Sequence, residues 1–97
     1  MSSSPTNPIQ SAFRNITSTD TFTAGDYTIN CTSGTYTVNL PTAVGIQGKI
    51  YILKNSGTGT ITLDGNGSET IDGQLTRALA QYVAWTVQSD GTNWIII

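Results

Sequence analysis

Alternation of apolar and polar residues, repeated along much of the chain, is the feature that most limits how this sequence can fold. The segments DYTINC (26–31) and TYTVNLP (35–41) place an apolar residue at every second position. Side chains of a β-strand point alternately to opposite faces, so each segment predicts a strand with one face in a core and the other toward solvent. The many threonines suit the solvent face of such strands.

Turn sequences separate these runs at regular intervals. Gly34 lies between the first two runs, NSG follows at 55–57, and DG pairs occur at 72–73 and 90–91. The pair Asp72 and Gly73 suits a type I′ turn, whose two central residues both have positive φ. We therefore expect eight or nine short strands, with hairpins around Gly34 and residues 55–57. The fold class predicted is all-β: an antiparallel β-sandwich of jelly-roll type.

Two segments are apolar on both faces, unlike the rest. Residues 49–54 read KIYILK, and residues 94–97 read WIII. A two-layer sandwich of this size covers one face of a strand, so the second apolar face needs another partner. We expect a neighbouring subunit there, and the alternative is a covering loop at residues 41–48. The predicted interface comprises Ile50, Tyr51, Ile52, Leu53, Trp94, Ile95, Ile96 and Ile97.

Arg77 lies on an otherwise apolar face between Leu75 and Leu79. A buried guanidinium needs a carboxylate partner, which Glu69 or Asp72 of a neighbouring subunit could supply. Alternatively, Arg77 sits at an edge and extends its head group to water. We count Arg77 with the predicted interface and leave both readings open.

Composition excludes several function classes. Only 10% of the residues are charged, and the four Lys and Arg are scattered, which argues against a nucleic-acid partner. No run of about 18 apolar residues exists, so no membrane insertion is expected. The chain contains no His and one Cys, Cys31, which removes the usual catalytic triads, zinc sites and any intrachain disulfide.

The acidic residues also give no convincing active site. Asp64 and Asp72 both precede Gly, which is typical of turns. DGNGS at 64–68 begins like a calcium loop, but the later ligand positions do not follow. Asp64, Glu69 and Asp72 lack the aromatic groove expected around a pair of glycosidase carboxylates. We expect no enzyme activity, no cofactor and no metal.

The stretch from Tyr36 to the end resembles a C-terminal head module of bacteriophage tail fibres and tailspike-like proteins, also found in phage-like bacterial surface proteins. The motifs that carry the resemblance are NLPTA, GKIYILKNSGTGTIT, ETIDG and VQSDGTNW. The resemblance implies an all-β homotrimer at the distal end of a fibre. Residues 11–97 would form a single head domain, and the Ser- and Pro-containing residues 1–10 a linker or stalk exit.

The resemblance also implies a function and a location. We expect trimerisation and attachment to a host cell-surface receptor, such as a glycan, on a virion (the tail-fibre tip) or another extracellular surface. The resemblance names no ligand-binding residues, so the candidates come from the turns: Asn66 and Asn93 as exposed polar residues, and Tyr82 as an aromatic stacking platform. The alternative is a structural trimerisation or capping module of a bacterial surface or spore filament, with no ligand of its own.

Overall fold

The computed structural model describes residues 10–97. The predicted linker or stalk exit at residues 1–10 therefore lies almost wholly outside the described residues. Within residues 10–97 the chain forms nine strands and no helix. The strands are β1 (Phe13–Ile16), β2 (Asp20–Thr21), β3 (Thr28–Cys31), β4 (Tyr36–Asn39), β5 (Ile50–Asn55), β6 (Ile61–Asp64), β7 (Thr76–Leu79), β8 (Ala84–Ser89) and β9 (Trp94–Ile96).

The first six strands wind through three successive coils, and each coil contributes one strand to each of two sheets. β1, β3 and β5 pair in parallel in one sheet, and β2, β4 and β6 pair in parallel in the other. The last three strands run antiparallel: β7 pairs with β6, β8 with β5, and β9 with β8. The result is a five-stranded sheet of order β1-β3-β5-β8-β9 and a four-stranded sheet of order β2-β4-β6-β7.

The all-β prediction is confirmed, and the two mixed sheets form a β-sandwich-like fold. The predicted antiparallel pairing of jelly-roll type is wrong for the first six strands, which pair in parallel. The expected hairpins around Gly34 and residues 55–57 are corners instead, because the strands on either side belong to different sheets. A strand with one buried face shows the same alternation in a hairpin and in a coil, so the pattern alone could not separate them.

Glycines at these corners let successive coils stack closely. A Cβ atom on Gly59 would lie 2.2 Å from the carbonyl oxygen of Gly34, and one on Gly57 would lie 2.9 Å from the Cα of Ser33. The contacts are with backbone, which cannot move aside as a flexible side chain can. The third coil therefore needs glycine at both positions because of the coil beneath it, not because of its own turn.

The buried side chain of Asn55 stabilises the same corner through hydrogen bonds. It is fully buried, and its Nδ2 donates to the carbonyl oxygens of Gly59 and Leu79 at 2.8 and 2.9 Å. Its Oδ1 accepts a hydrogen bond from the N–H of Gly57 at 3.0 Å. One side chain thus bonds three backbone groups, two at the corner and one at the end of β7.

The core lies between the two sheets and is apolar in the second and third coils. Its fully buried members come from both sheets and from the loops joining them: Phe22, Ile29, Val38, Leu40, Tyr51, Leu53, Ile61, Leu63, Ile71, Leu79, Val87 and Trp94. Two aromatic contacts run through it, with ring centroids 4.6 Å apart for Phe22 and Tyr51 and 5.6 Å apart for Tyr51 and Trp94.

The first coil contributes the apolar side chains of Ile16 and Phe22 to this core and adds a network of charged groups beside them. Arg14 stands in register with Ile29, and Asp20 with Val38, where the next coil is apolar. Arg14 Nη1 donates to Asp20 at 2.6 Å, and its Nε and Nη2 donate to both carboxylate oxygens of Asp26 at 2.7 and 3.0 Å. These bonds from Arg14 hold the pKa of both carboxyl groups below the usual range. Charged groups thus take positions in the first described coil that are apolar in the next one.

Two turns predicted from the sequence are present. Asp72 and Gly73 have φ values of 49° and 83°, and Ile71 and Gln74 exchange hydrogen bonds on either side of them. Gly91 has a φ of 95°, and the Asp90 carboxylate accepts from the N–H groups of Thr92 and Asn93. Residues 69–71 form no strand and contribute only isolated bridges at Ile71. No helix among the described residues has the length and apolarity to cross a membrane.

Candidate subunit interface and ligand-binding residues

Three of the residues predicted at the interface lie inside the subunit. Tyr51, Leu53 and Trp94 point between the sheets, and each is 1% exposed. The Tyr51 hydroxyl also donates to the Thr23 carbonyl at 3.0 Å, which fixes its ring in the core. These side chains cannot reach a neighbouring chain. Ile96 also faces inward and packs half-buried against the core.

The remaining isoleucines share the opposite surface of the five-stranded sheet, here called the outer face. In β5 the buried residues alternate with Ile50 and Ile52, which are only partly covered. In the last strand and the residue after it, Ile95 and Ile97 are 37% and 57% exposed. The doubly apolar pattern of residues 49–54 and 94–97 therefore divides into a core side and a solvent-facing side within this chain.

The register of the strands aligns these residues in two neighbouring rows, in which polar residues alternate with the apolar ones. One row crosses the whole sheet through Phe13, Thr28, Ile52 and Thr86, and the Ile97 N–H donates to the Thr86 carbonyl at its end. The next row contains Ile50, Gln88 and Ile95. Phe13, which is 62% exposed, extends the surface to the edge strand.

Sequence reasoning missed Phe13 because it assigned no strand there. Residues 13–16 read FRNI, so the apolar residues do not alternate. The structure explains this, since Arg14 points inward to the ion-pair network and occupies a position that is apolar in other strands. The parallel pairing with β3, rather than any local pattern, makes the segment a strand.

The outer surface of the four-stranded sheet has a different chemistry. Its outward residues include Thr37, Asn39, Thr62, Asp64 and Thr76, which follow the polar positions of β4, β6 and β7. The two broad surfaces of the subunit therefore differ: the first carries mainly polar residues and no large apolar one, whereas the outer face carries isoleucines and a phenylalanine next to the polar row of Asn15, Asn30 and Lys54.

Arg77 makes its contacts within its own chain. It faces inward from β7, and its Nε and Nη2 donate to the carbonyl oxygens of Ile71 and Asp72, both at 3.1 Å. The two carboxylates considered as partners are engaged elsewhere: Glu69 accepts from the N–H of Ala43, and Asp72 Oδ1 accepts from the N–H of Ile96. In the subunit Arg77 closes the core beside the loop that it bonds.

The three candidate ligand-binding residues do not form one cluster. The side chain of Asn93 makes a hydrogen bond within the subunit, since its Oδ1 accepts from the Thr70 N–H at 2.8 Å. Asn66 is exposed in the neighbouring loop after β6. Tyr82 precedes β8, whereas Asn93 follows the turn at the other end of that strand. Tyr82 is 68% exposed and free to meet a ligand.

Cys31 and the acidic residues show no arrangement suited to catalysis or metal binding among the described residues. Burial raises the pKa of the Cys31 thiol, which is fully covered in the core. Among residues 10–97 no three Cys, Asp or Glu side chains converge in an arrangement that could hold a metal ion.

A shallow groove lies where the loops after β2 and β4 meet. Its volume is about 230 Å³, and it is lined by Ala24, Pro41, Thr42, Val44, Ile46, Lys49 and Tyr51. The Lys49 ammonium closes one side by donating to the Ala24 carbonyl at 2.9 Å, and it lies 5.2 Å from the Tyr51 ring centroid. The predicted covering loop at residues 41–48 thus borders this groove.

Comparison with known proteins adds no relative. The chain has no significant match among protein-family models, among curated proteins or among solved structures.

Proposed function

We propose that this chain is a homotrimeric head module of the kind that ends a phage tail fibre, joining three subunits and attaching them to a host cell-surface receptor. The observation that carries the proposal is the difference between the two broad surfaces of the subunit. One is polar, and the outer face of the five-stranded sheet carries Phe13, Ile50, Ile52, Ile95 and Ile97. Exposed apolar surface of this kind marks contacts with other chains.

The free energy of burying apolar side chains favours contact of this face with other copies of the chain. Fully burying one isoleucine or phenylalanine contributes roughly 1.5–3 kcal/mol relative to leaving it exposed. Several such residues per subunit can offset the loss of translational and rotational freedom on association. The choice of three subunits rests on the resemblance of the NLPTA, GKIYILKNSG and SDGTNW motifs to trimeric head modules.

Attachment follows from the same assembly. Three copies present three equal binding sites on one fibre, so weak individual contacts combine into a strong attachment when the receptor is repeated on a surface. Carbohydrate chains are receptors of this type. The proposed location is the virion tail-fibre tip or another extracellular surface.

The oligomer is tested by placing a charge on each broad surface. Ile52→Glu puts a carboxylate in the middle of the row that runs from Phe13 to Ile97 and should convert the trimer to a folded monomer in sedimentation-velocity experiments. Thr62→Glu, at an outward position of the four-stranded sheet, is the matched control and should remain trimeric. Equal behaviour of the two variants would place the interface elsewhere.

The second candidate function is a structural trimerisation or capping module without a ligand. It is favoured because polar loop side chains such as Asn93 and Glu69 accept hydrogen bonds from the chain's own backbone, which leaves them less able to bind a ligand. A glycan array separates the two candidates. Reproducible binding of the trimer supports attachment, and a blank array together with a stable trimer supports the structural module.

A further inference from the structure

Tyr82 combines an unfavourable backbone conformation with an exposed aromatic ring. Its φ is 67°, a left-handed value that is rare for a bulky residue, and it is 68% exposed. Glycine or asparagine would take this conformation with less strain. Because the exposed ring adds little packing to the core, the local fold does not account for a tyrosine here.

Neighbouring groups hold the residue in place. The Tyr82 N–H donates to the Asn55 carbonyl at 2.5 Å, and the Tyr82 carbonyl accepts from the Lys54 ammonium at 2.8 Å. The Val83 N–H closes the turn on the Ala80 carbonyl at 3.0 Å. The ring is therefore presented from a fixed backbone, which lowers the entropy cost of using it as a binding platform.

Lys54 places a positive charge beside this ring. Its Nζ lies 6.0 Å from the Tyr82 ring centroid, and two of its three N–H donors remain after the bond to the Tyr82 carbonyl. Within residues 10–97 the ion pairs are those of Arg14 with Asp20 and Asp26. Lys54 is thus a cation without a carboxylate partner in the described part of a chain whose net charge is -2.

Amide and hydroxyl groups continue the surface away from the ring, in the polar row of the outer face that lies beyond the row of Ile52. Lys54 stands in register with Asn30 on one side and with Ala84 on the other, and Asn30 is in register with Asn15. Asn30 Nδ2 donates to Asn15 at 3.0 Å, and Asn30 Oδ1 accepts from Ser56 at 2.6 Å. Ala84, which faces Lys54 across the strand pair, is exposed and has only a methyl side chain.

From this arrangement we infer that Tyr82 and Lys54, with Asn15 and Asn30 beside them, form a binding site for an acidic saccharide. The electron-rich face of the Tyr82 ring receives the C–H groups of a pyranose. The Lys54 ammonium receives the sugar carboxylate through a charge-assisted hydrogen bond. The amide of Asn15 offers donors to hydroxyl groups. This inference rests on the proposed attachment function and names the receptor class for it.

The probe for the test is tetragalacturonate, with its methyl ester as a neutral ligand of the same skeleton. Titration calorimetry on the full chain should show the acid binding about tenfold more tightly than the ester, as one charge-assisted bond suggests. This preference should shrink at about 0.5 M salt, where charges are strongly screened. Equal affinity for acid and ester, or no binding of either, would overturn the inference.

Two variants with a matched control assign the contacts. Lys54→Gln should remove the preference for the acid, whereas Lys49→Gln should leave it unchanged. Lys49 makes the same kind of contacts, to a carbonyl and an aromatic ring, at the other end of β5, but its ring is buried. Tyr82→Asn should abolish binding of both ligands without lowering the melting temperature, because the backbone strain is relieved. A lower melting temperature of Tyr82→Asn with unchanged binding would assign Tyr82 a structural role and contradict the inference.

Failure of this site and failure of the proposed function give different results. A trimer that binds only neutral glycans on an array would refute the acidic site and keep the attachment function. A trimer that binds no glycan would refute both the site and glycan attachment.

Discussion

Replacing Asn55 with alanine should lower the free energy of unfolding by about 3 kcal/mol. The substitution removes the hydrogen bonds to Gly57, Gly59 and Leu79, two of which are buried. Each buried backbone group left without a partner costs about 1–3 kcal/mol. A domain of this size has a total stability of about 5–15 kcal/mol, and 1 kcal/mol shifts its melting temperature by about 4–8 °C. The melting temperature should therefore fall by at least about 12 °C.

Urea unfolding followed by tryptophan fluorescence measures this loss. Wild type and variant are compared at one protein concentration, because association makes apparent stability depend on concentration. Asn30→Ala is the control, since its carboxamide bonds to exposed or partly buried side chains and should cost less than about 1 kcal/mol. If Asn55→Ala and Asn30→Ala unfold at the same urea concentration, the side chain of Asn55 does not stabilise the corner.

Three further perturbations test other parts of the fold. Arg14 lowers the pKa of Asp26, so the contribution of Asp26 to stability is present above the ordinary aspartate pKa of 3.8 and is lost as the pH falls below it. Asp26→Asn should therefore reduce the stability at neutral pH and weaken its dependence on acid pH. Parallel curves of stability against pH for wild type and variant would contradict this. Gly59→Ala should destabilise the protein strongly in thermal melts, because the added Cβ meets backbone at 2.2 Å, whereas Gly25→Ala meets nothing and should be tolerated; similar melting temperatures would refute the close stacking. Cys31 is buried and its pKa is raised, so a thiol reagent should label it only as fast as the core opens to solvent. Immediate labelling of the native protein would show that the core is accessible.

Local features of the fold could be predicted from the sequence. The turn at Asp72 and Gly73 depends on which residues tolerate positive φ, a property of the residues themselves. The strand after Asp90 and Gly91, and the division of residues 94–97 between two faces, follow from the period of two. The core placement of Val38 and Leu63 follows in the same way.

Non-local features could not be predicted. Whether Gly57 and Gly59 belong to a hairpin or a corner depends on a chain segment about 25 residues earlier that stacks against them. β1 was invisible because Arg14 takes an inward position and breaks the alternation, and its ion-pair partners follow 6 and 12 residues later. For the candidate site, Tyr82 could be named as an exposed aromatic, but Lys54 joins it only through the pairing of β5 with β8.

The most direct test of the account is the mass of the wild-type chain in solution, measured by sedimentation equilibrium at micromolar concentration. The proposed homotrimer, joined through the outer face around Ile52 and Ile97, would give a species of three times the chain mass, which Ile52→Glu would reduce to the mass of one chain. A wild-type protein that is folded, stable and monomeric at that concentration would contradict the central claim that this surface joins subunits.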